Sequence, residues 1–491
     1  MKSEAVDFSQ HLARHTPREM TRSDGATIPE DHVIVLFGAL GDLSRRKLLP
    51  GLFHLDRAGL MPGNYRIIGT SRKGGSVEDF RKVAQTAIGK TATGEVWDRF
   101  SSRLGFSAFN ADDPAPLVQA VAEAEKDLDN PGRLHYLSVP PAAFGATVKA
   151  LGDAGLDTRA RVVLEKPFGV DLHSAVELNA LVHSVFPEER VFRIDHFLGR
   201  EAVQNLLALR FANGMFEPIW NRDHIDHVQI DVPETLSVED RAGFYEGTGA
   251  YRDMVVTHLF HVLGFVAMEP PSALDGRSII EESGKVFRSM RPISPDNVIR
   301  GQYAGYREAP GVDLDSQTET FIAMRTEIDN WRWSGVPFFL RTGKSMGESK
   351  RLITIAFREP PRKMFRDIKA FTEDYGPDHI SFDFGDPGGI TTSFLAKVPG
   401  PRMRLGQAQM KFSYEGSFNT AGLEAYERLL YDAMLGDRTL FTDSEGIENL
   451  WAASSALLED PPPLHRYAPE SYGPQKMHEL IAPRRWWLPV T

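Results

Sequence analysis

The sequence predicts a doubly wound parallel α/β sheet, followed by a large α+β domain with an antiparallel sheet. Three observations support this fold class. In about the first two hundred residues, short β-branched apolar runs alternate with stretches of helical periodicity, which is typical of parallel strands joined by helices. Later in the chain, longer stretches of alternating hydrophobicity are typical of antiparallel sheets. The length of 491 residues also favours two or more domains over one.

The first strand, turn and helix are predicted within DHVIVLFGALGDLSRRKLLPGLFHLDRAGL, residues 31–60. A β-branched apolar run leads to a turn at Gly38 to Gly41, and apolar residues at helical spacing follow. Further strands are predicted in YRIIGTSR, RLHYLSV and RVVLEKP, which are residues 65–72, 133–139 and 161–167. Because helical patterns separate these strands, we expect parallel pairing with right-handed crossovers.

The second region is predicted from its long alternating stretches, HIDHVQIDVPET, VPFFLRTGK and RLITIAFREP. Two helical segments accompany them, GAYRDMVVTHLFHVLGFVA and EAYERLLYDAML. We therefore divide the chain into three parts: a flexible N-terminal arm at 1–29, a doubly wound domain at 30–200, and an α+β domain at 201–491.

Composition and charge exclude several classes of site and partner. There are no cysteines, which excludes disulfides, thiolate nucleophiles and cysteine-ligated zinc. The lack of cysteine fits a reduced cytoplasm, so a cytoplasmic protein is expected. The first thirty residues lack the apolar core of a signal peptide and are expected to form a mobile arm. The longest apolar run, residues 254–268, is too short to span a bilayer, which argues against a membrane partner. A net charge of -11 with scattered basic residues argues against nucleic acid.

The turn after the first strand is a candidate phosphate-binding site. Gly38 and Gly41 stand where a strand leads into a helix, so backbone amides there can approach a pyrophosphate, as in Rossmann-type domains. The spacing is not G-x-G-x-x-G, and a simple tight turn is the better interpretation of this segment taken alone. Arg72 stands where NAD enzymes usually carry an acid, and its charge suits the 2′-phosphate of NADP. The alternative for Arg72 is an ordinary surface arginine.

Three motifs, GALGDLSRRKLLP, EKPFG and RIDHFLGRE, resemble in order and spacing the signatures of the glucose-6-phosphate dehydrogenase family. YLSVPP, GTGAYRDMVVTHLFH, RTGK and EAYERLLYDAM are also similar to that family. The resemblance implies an NADP-binding Rossmann-type domain at 30–200 and a domain for substrate binding and dimerisation at 201–491. It also implies oxidation of glucose 6-phosphate at C1 to 6-phosphogluconolactone, the first step of the pentose phosphate pathway. A homodimer or a dimer of dimers is the oligomer that it implies.

The resemblance assigns proton transfer to two residues that are far apart in the sequence. Oxidising a hemiacetal requires a base that is neutral near pH 7, and a histidine paired with a carboxylate meets this requirement. His258 matches the general base of the family, and Asp195 matches its partner acid. Taken alone, His258 on an apolar helix is better interpreted as a core histidine. His261, one helical turn further on, is expected to be a packing residue, and no metal site is expected because hydride transfer requires none.

In RIDHFLGRE the resemblance assigns His196 and Arg200 to the substrate phosphate and includes Phe197 in the same binding site. The family usually has Tyr and Lys where Phe197 and Arg200 stand. Arg200 keeps the charge and adds a bidentate geometry. Phe197 cannot donate a hydrogen bond, and losing such a bond to a charged group is worth about 1.5–3 kcal/mol. Without the resemblance, a helix start with solvated charges would explain part of this segment.

Four further residues match sugar contacts of the family. Lys166 in EKPFG matches a lysine between cofactor and sugar. Glu234 and Asp253 match carboxylates that accept hydrogen bonds from sugar hydroxyls, and Lys344 in RTGK matches another sugar contact. The alternative for each residue alone is an ordinary surface charge.

For the cofactor, the resemblance implies contacts from the glycine turn, the end of the second strand and a later loop. The residues are Gly38, Leu40, Gly41, Asp42, Leu43, Arg72, Pro140, Phe144 and Lys166. The family has Ser or Thr where Leu40 stands, and that missing contact costs about 0.5–1.5 kcal/mol, less than the charge-assisted contact from Arg72 contributes. NADP is therefore expected, and tolerance of NAD remains an alternative.

Two other functions compete with this interpretation. One is a related enzyme that acts on another hexose phosphate or uses NAD, which Leu40 and Phe197 suggest. The other is a non-catalytic NADP-binding sensor on the same fold. The presence of both His258 and Asp195 argues against the sensor.

Overall fold

The computed structural model describes residues 25–488 except for residue 73 and residues 239–241, 363, 365–375, 386–387 and 419–421. Two β-sheets with helices packed around them form this part of the chain. The predicted fold class is confirmed, because the first sheet is parallel apart from one short edge strand and the second is mostly antiparallel. Most of the predicted N-terminal arm lies outside the described residues.

The first sheet contains seven strands. They are β1 (His32–Phe37), β2 (Tyr65–Ser71), β3 (Leu104–Ala108), β4 (Gly132–Leu137), β5 (Ala160–Leu164), β6 (Val191–Ile194) and β15 (Phe441–Thr442). Their order is β15-β6-β5-β4-β1-β2-β3, and only β15 runs antiparallel to its neighbour. The direction of winding reverses between β1 and β4, which creates a crevice at their carboxyl ends where sheets of this type bind ligands.

Helices cover both faces of this sheet. In the first two hundred residues they are α1 (Leu49–Arg57), α2 (Val77–Ile88), α3 (Gly94–Ser102), α4 (Ala115–Glu125), α5 (Phe144–Asp153) and α6 (Leu172–His183). A π-helical turn, Ser44–Leu48, precedes α1. Asp171 begins α6 with a capping box formed with Ser174, which satisfies two backbone N–H groups at the helix start.

The second sheet contains nine strands. They are β7 (Ile225–Pro233), β8 (Val298–Tyr303), β9 (Phe321–Thr326), β10 (Phe338–Gly343), β11 (Leu352–Phe357), β12 (His379–Asp383), β13 (Gly389–Lys397), β14 (Leu405–Phe412) and β16 (Leu464–Tyr467). Their order is β14-β13-β12-β11-β7-β10-β9-β8-β16. The β7–β10 and β8–β16 pairs are parallel, so the sheet is mixed, and the carboxyl ends of β7 and β10 lie at the same edge.

The later helices pack against elements of both sheets. They are α7 (Glu201–Ala212), α8 (Ala242–Glu246), α9 (Phe260–Ala267), α10 (Gly276–Ser289), α11 (Tyr414–Ser417), α12 (Ala425–Leu435), α13 (Ser444–Glu459) and α14 (Met477–Ile481). Helix α12 packs against α1, and α13 packs against α6. The end of the chain therefore returns to the first sheet, and the domain boundary at residue 200 stays a prediction.

Within the described residues, no helix combines the length and the apolarity needed to cross a membrane.

Candidate active site

Several predicted site residues follow two adjacent strands of the first sheet. Lys166 comes shortly after β5, and Asp195 and His196 come directly after β6. Because β5 and β6 pair in parallel, the residues that follow them lie at the same edge of the sheet. The sheet therefore brings together side chains that stand about thirty positions apart in the sequence.

A π-helix supplies the other side of this site. The segment Tyr251–Leu259 is π-helical and continues into α9. In a π-helix the backbone bonds link residues five apart, so Asp253 and His258 lie on the same side of it. Both side chains contact the same ammonium group: Lys166 Nζ lies 2.8 Å from Asp253 Oδ1 and 2.9 Å from His258 Nε2.

His258 and Asp195 form a buried hydrogen-bonded pair. His258 Nδ1 lies 2.6 Å from Asp195 Oδ1, and each residue is only 1% exposed. The Phe197 amide also donates to Asp195 Oδ1 at 2.8 Å, which fixes the orientation of the carboxylate. Since a carboxylate accepts hydrogen bonds, Nδ1 of His258 carries the proton and Nε2 is the acceptor of the ring. The ammonium of Lys166 can only donate, which requires the same tautomer.

The electrostatics of the pair favour a neutral imidazole beside an ionised carboxylate. Burial lowers the pKa of His258, Asp195 raises it, and the neighbouring Lys166 cation lowers it further, with a net lowering from 6.5. Burial alone would raise the pKa of Asp195, but the hydrogen bonds that its carboxylate accepts from His258 and His261 hold it far below its usual range. His258 is therefore able to accept a proton at neutral pH.

His261 takes part in this arrangement although the sequence suggested only packing. Its Nδ1 lies 2.9 Å from Asp195 Oδ2, and the side chain is buried. Two imidazoles thus share one carboxylate. The signal available in the sequence was the three-residue spacing between His258 and His261, which places both on one helical face.

Two more residues lie near the site, although the sequence analysis did not identify them. Glu165 precedes Lys166 and accepts a hydrogen bond from the hydroxyl of Tyr136. Burial raises the pKa of Glu165 to about 7, against the opposing effects of Tyr136 and Lys166. Tyr426, in α12, stacks on the His196 ring at a centroid distance of 5.8 Å. The EKPFG motif could have indicated Glu165, whereas no local pattern indicated Tyr426.

His196 and Phe197 pack against His258, and Arg200 lies beside Phe197. The His196 ring lies 4.7 Å from that of His258, edge to face. The Phe197 ring stacks on His258 at 4.3 Å and is 3% exposed, so it is a packing partner of the imidazole. Arg200 donates to the carbonyl oxygen of Phe384 at 3.3 Å, and its guanidinium lies 5.9 Å from the Phe197 ring. His196 thus lies beside the His258–Asp195 pair, and Arg200 lies beside the Phe197 ring.

Glu234 and Lys344 follow β7 and β10, the parallel pair of the second sheet, and form an ion pair. Burial alone would raise the pKa of Asp253, but Lys166 and also Lys344 lower it far below its usual range. Lys344 thus lies close enough to act on the carboxylate that Lys166 contacts. The two sheets bring both lysine–carboxylate pairs, Lys166–Asp253 and Lys344–Glu234, into one site.

The glycine turn has the form that a dinucleotide requires. Gly38 has φ of 76°, and a Cβ at this position would lie 2.1 Å from the carbonyl oxygen of Ser138. Only glycine therefore allows the turn after β1 to approach the loop after β4 this closely. Gly41 donates from its amide to the Gly38 carbonyl at 2.8 Å and is exposed. The turn presents backbone at the crevice between β1 and β4, which fits a pyrophosphate.

The remaining predicted cofactor residues lie around this turn. The Ala39 amide donates to the Thr70 carbonyl at 3.1 Å, so the end of β2 and the exposed Arg72 lie beside the turn. Leu40 and Leu43 are half-buried. Asp42 is exposed and pairs with Arg46 at 2.8 Å.

Pro140 and Phe144 were both predicted to contact the cofactor, but one is exposed and the other is buried. Pro140 is exposed on the loop after β4, whereas Phe144 begins α5 and is only 1% exposed. The Phe144 ring is packed in the core of the domain. Of the two, Pro140 is the residue whose surface is open to a ligand.

Asp195, His196 and His258 also form the kind of cluster that can hold a metal ion, since one ligand atom from each lies within 4.8 Å of the others. Asp195 already accepts hydrogen bonds from His258, His261 and the Phe197 amide. Nε2 of His258 is occupied by Lys166. A metal would have to displace these donors, so the arrangement suits proton transfer better than ligation.

Comparison with known proteins agrees with this geometry. Residues 35–205 match the family model "Glucose-6-phosphate dehydrogenase, NAD binding domain", and residues 207–487 match "Glucose-6-phosphate dehydrogenase, C-terminal domain". The first region is therefore a nicotinamide-dinucleotide-binding domain.

Individual proteins match over nearly the whole chain. A glucose-6-phosphate 1-dehydrogenase from Aggregatibacter actinomycetemcomitans is 37% identical over 480 residues, covering 92% of this chain and 96% of the relative. Another from Rhizobium meliloti is 40% identical over 452 residues, covering 88% and 91%. A solved glucose-6-phosphate dehydrogenase in complex with its substrate glucose-6-phosphate superimposes with a TM-score of 0.86 at 33% identity, covering 93% of this chain and 98% of that one. The resemblance in the motifs is confirmed, and the chain belongs to the glucose-6-phosphate dehydrogenase family.

Proposed function

We propose that this protein is an NADP-dependent glucose-6-phosphate 1-dehydrogenase that oxidises glucose 6-phosphate at C1 to 6-phosphogluconolactone. The observation that carries the proposal is the buried His258–Asp195 pair, whose hydrogen bond is 2.6 Å long. It places a neutral, oriented imidazole between the dinucleotide-binding domain and the charged residues of the second sheet. Membership of the family supports the choice of substrate and reaction.

His258 acts as the general base. Its Nε2 takes the proton of the C1 hydroxyl while the C1–H bond breaks and the C1–O bond becomes a carbonyl. A nicotinamide cofactor held at the glycine turn after β1 would supply the acceptor for the hydride that leaves C1. Asp195 stabilises the imidazolium that forms, because its carboxylate is ionised and 2.6 Å from Nδ1. The Lys166 ammonium, now on Nε2, moves aside for the substrate hydroxyl and stays close enough to bind it.

The phosphate and the sugar hydroxyls bind on opposite sides of the base. His196 and Arg200 follow Asp195 in the chain and offer a ring N–H and a guanidinium to the phosphate. Glu234, Asp253 and Lys344 hold the sugar hydroxyls. Phe197 supports the base by stacking on it, and packs beside the phosphate-binding pair.

NADP is the proposed cofactor. Arg72 is exposed beside the glycine turn, at the end of β2, where a cation can pair with the 2′-phosphate. The turn that begins at Gly38 and the residues that follow Gly41 would hold the pyrophosphate through backbone amides, while the Gly41 amide closes the turn on the Gly38 carbonyl. Asp42, Leu40, Leu43 and Pro140 border this binding surface, and Phe144 supports it from the core.

We further propose that the protein is cytoplasmic, works as a homodimer or a dimer of dimers, and divides into a cofactor domain at 30–200 and a substrate and dimerisation domain at 201–491. The absence of cysteine in the sequence supports the cytoplasmic assignment. Sedimentation analysis of the purified protein tests the oligomer, since a monomer at micromolar concentration would contradict it.

The decisive experiment follows the absorbance of the reduced nicotinamide with glucose 6-phosphate and either NADP or NAD. We expect rapid reduction of NADP. If NAD were reduced faster than NADP, the related NAD-dependent enzyme would be indicated instead. Faster reduction of either cofactor with another hexose phosphate than with glucose 6-phosphate would indicate a different substrate. Tight cofactor binding without reduction by any sugar phosphate would indicate a sensor and refute the proposal.

A further inference from the structure

Tyr245 has a buried hydroxyl without a partner. It lies in the short helix α8 and is 4% exposed. Among the residues that the structure describes, none accepts or donates a hydrogen bond at its phenolic oxygen. Buried polar groups are satisfied in the large majority of cases, because an unmade hydrogen bond in the interior costs free energy. An orphaned hydroxyl therefore calls for a ligand or another reason.

The surroundings of this hydroxyl are the proposed sugar-binding residues. The carboxylates whose charges act on it are Asp253, Glu319 and Glu234. Lys344 Nζ lies 5.9 Å from the centre of the Tyr245 ring. Lys344 thus lies near the Tyr245 ring, and the charges of Asp253 and Glu234, two further groups assigned to sugar binding, act on its hydroxyl. No motif in the sequence had indicated Tyr245.

The chemistry of the hydroxyl complements these groups. Burial and the charge of Asp253 raise the pKa of Tyr245 well above its usual value, so the phenol remains protonated and is able to donate. Asp253 and Glu234 offer only acceptors when ionised. A sugar hydroxyl both donates and accepts, so it is able to donate to a carboxylate while accepting from the phenol.

We propose that Tyr245 is a substrate-binding residue whose phenol donates a hydrogen bond to one of the hydroxyls at C2 to C4 of the hexose phosphate. The proposal rests on the proposed function and deepens it, since it names a specificity contact in the same site. Tyr245 recognises the sugar, whereas His258 and Asp195 perform the proton transfer.

The test is Tyr245→Phe, which removes only the hydroxyl and keeps the ring. We expect the KM for glucose 6-phosphate to rise about threefold to tenfold, which corresponds to one lost hydrogen bond between uncharged groups. Calorimetric binding of glucose 6-phosphate, which requires no turnover, should weaken by the same factor. The KM for the cofactor and the unfolding temperature should stay unchanged, because the hydroxyl has no partner among the described residues of the protein. Unchanged sugar affinity would overturn the proposal.

Tyr306→Phe is the matched control. The Tyr306 ring lies 6.4 Å from that of Tyr245 and is also fully buried, but its hydroxyl donates to Glu246 Oε2 at 2.7 Å. Removing this hydroxyl should lower the unfolding temperature and leave the sugar affinity unchanged. The opposite pattern, with Tyr245→Phe destabilised and Tyr306→Phe impaired in sugar binding, would refute the assignment.

Deoxy analogues identify the hydroxyl. Unsubstituted protein and Tyr245→Phe are compared with the 2-, 3- and 4-deoxy forms of glucose 6-phosphate. The analogue that lacks the contacted hydroxyl should bind both proteins equally, while the other two should retain the difference. An equal loss with all three analogues would show that no single hydroxyl is contacted and would overturn the proposal. Failure of the proposed function would look different, since the unsubstituted protein would then bind the sugar without reducing the cofactor.

Discussion

The surroundings of His258 and of Gly38 differ in burial and in the kind of group that binds. His258 is 1% exposed, and its two ring nitrogens contact Asp195 and Lys166. Gly38 begins a partly buried turn in which Gly41 is exposed, and the backbone amides of this segment and the nearby exposed Arg72 are the groups proposed to bind the cofactor. In the proposed function, the buried region sets the reaction through side-chain pKa values, whereas the region around Gly38 and Arg72 selects the cofactor through shape and one charge. Substitutions should therefore affect turnover in the first region and affinity in the second.

The largest effect is expected from His258→Asn. Without the base, kcat should fall by about 10²–10⁴ while the KM for glucose 6-phosphate changes little. Steady-state rates with NADP measure this change, and the unfolding temperature checks that the fold is intact. Turnover within a factor of a few of the unsubstituted protein would mean that another group accepts the proton.

Gly38→Ala should come next. The positive φ alone costs an alanine about 1–2 kcal/mol, and the new Cβ would also meet the Ser138 carbonyl oxygen at 2.1 Å. We expect a lower unfolding temperature and weak cofactor binding, measured by calorimetry with NADP. Gly41→Ala is the matched control, because its φ is not positive and its nearest neighbour lies at 3.0 Å. Equal effects at both positions would contradict the role assigned to Gly38.

Arg72→Ala should change the choice of cofactor and little else. Loss of a charge-assisted contact worth about 1.5–3 kcal/mol should weaken NADP binding roughly tenfold to 100-fold. NAD has no 2′-phosphate, so its binding should be unchanged and serves as the internal control. Calorimetric titration with each cofactor measures both, and an equal loss for NAD and NADP would rule out a contact with the 2′-phosphate.

The smallest effect is a shift in pH dependence. The base must be neutral, so kcat/KM should fall as the pH drops through the pKa of His258, which lies below the ordinary value of 6.5. In His261→Leu, Asp195 loses one hydrogen-bond donor, so its carboxylate should stabilise the protonated form of His258 more strongly. The pKa of His258 should therefore rise, and the acidic side of the pH profile of kcat/KM should move up by about one pH unit. His261→Asn retains an N–H near the position of Nδ1 and should restore the original profile. An unshifted limb in a folded His261→Leu protein would show that His261 only packs.

Other groups face the His258–Asp195 pair and remain in place in these variants. They are Lys166, Asp253, His196, Glu165 and Tyr426. Because they are common to both His261 variants, a difference between Leu and Asn reports on the hydrogen bond to Asp195.

Much of the fold could be predicted from local pattern. The alternation of strands and helices gave the parallel sheet, and the runs at 224–235, 336–344 and 351–360 became β7, β10 and β11. The parallel pairing of β7 with β10 and the addition of β15 to the first sheet could not be predicted, since pairing between distant strands depends on the packing of the whole chain. The π-helix around His258 was also missed, because an apolar helical stretch gives the same sequence pattern whether it is α or π.

The sequence by itself determined which chemistry the chain can perform. It supplied a histidine and an aspartate within long family motifs, glycines where a strand turns into a helix, and a cation after the second strand. Only the tertiary structure decided that Asp195 meets both His258 and His261 and that the Tyr245 hydroxyl has no partner among the described residues, near groups proposed to bind the sugar. The physical reason is distance along the chain: Asp195 and His258 are 63 positions apart, and contacts of that range depend on how whole sheets and helices pack.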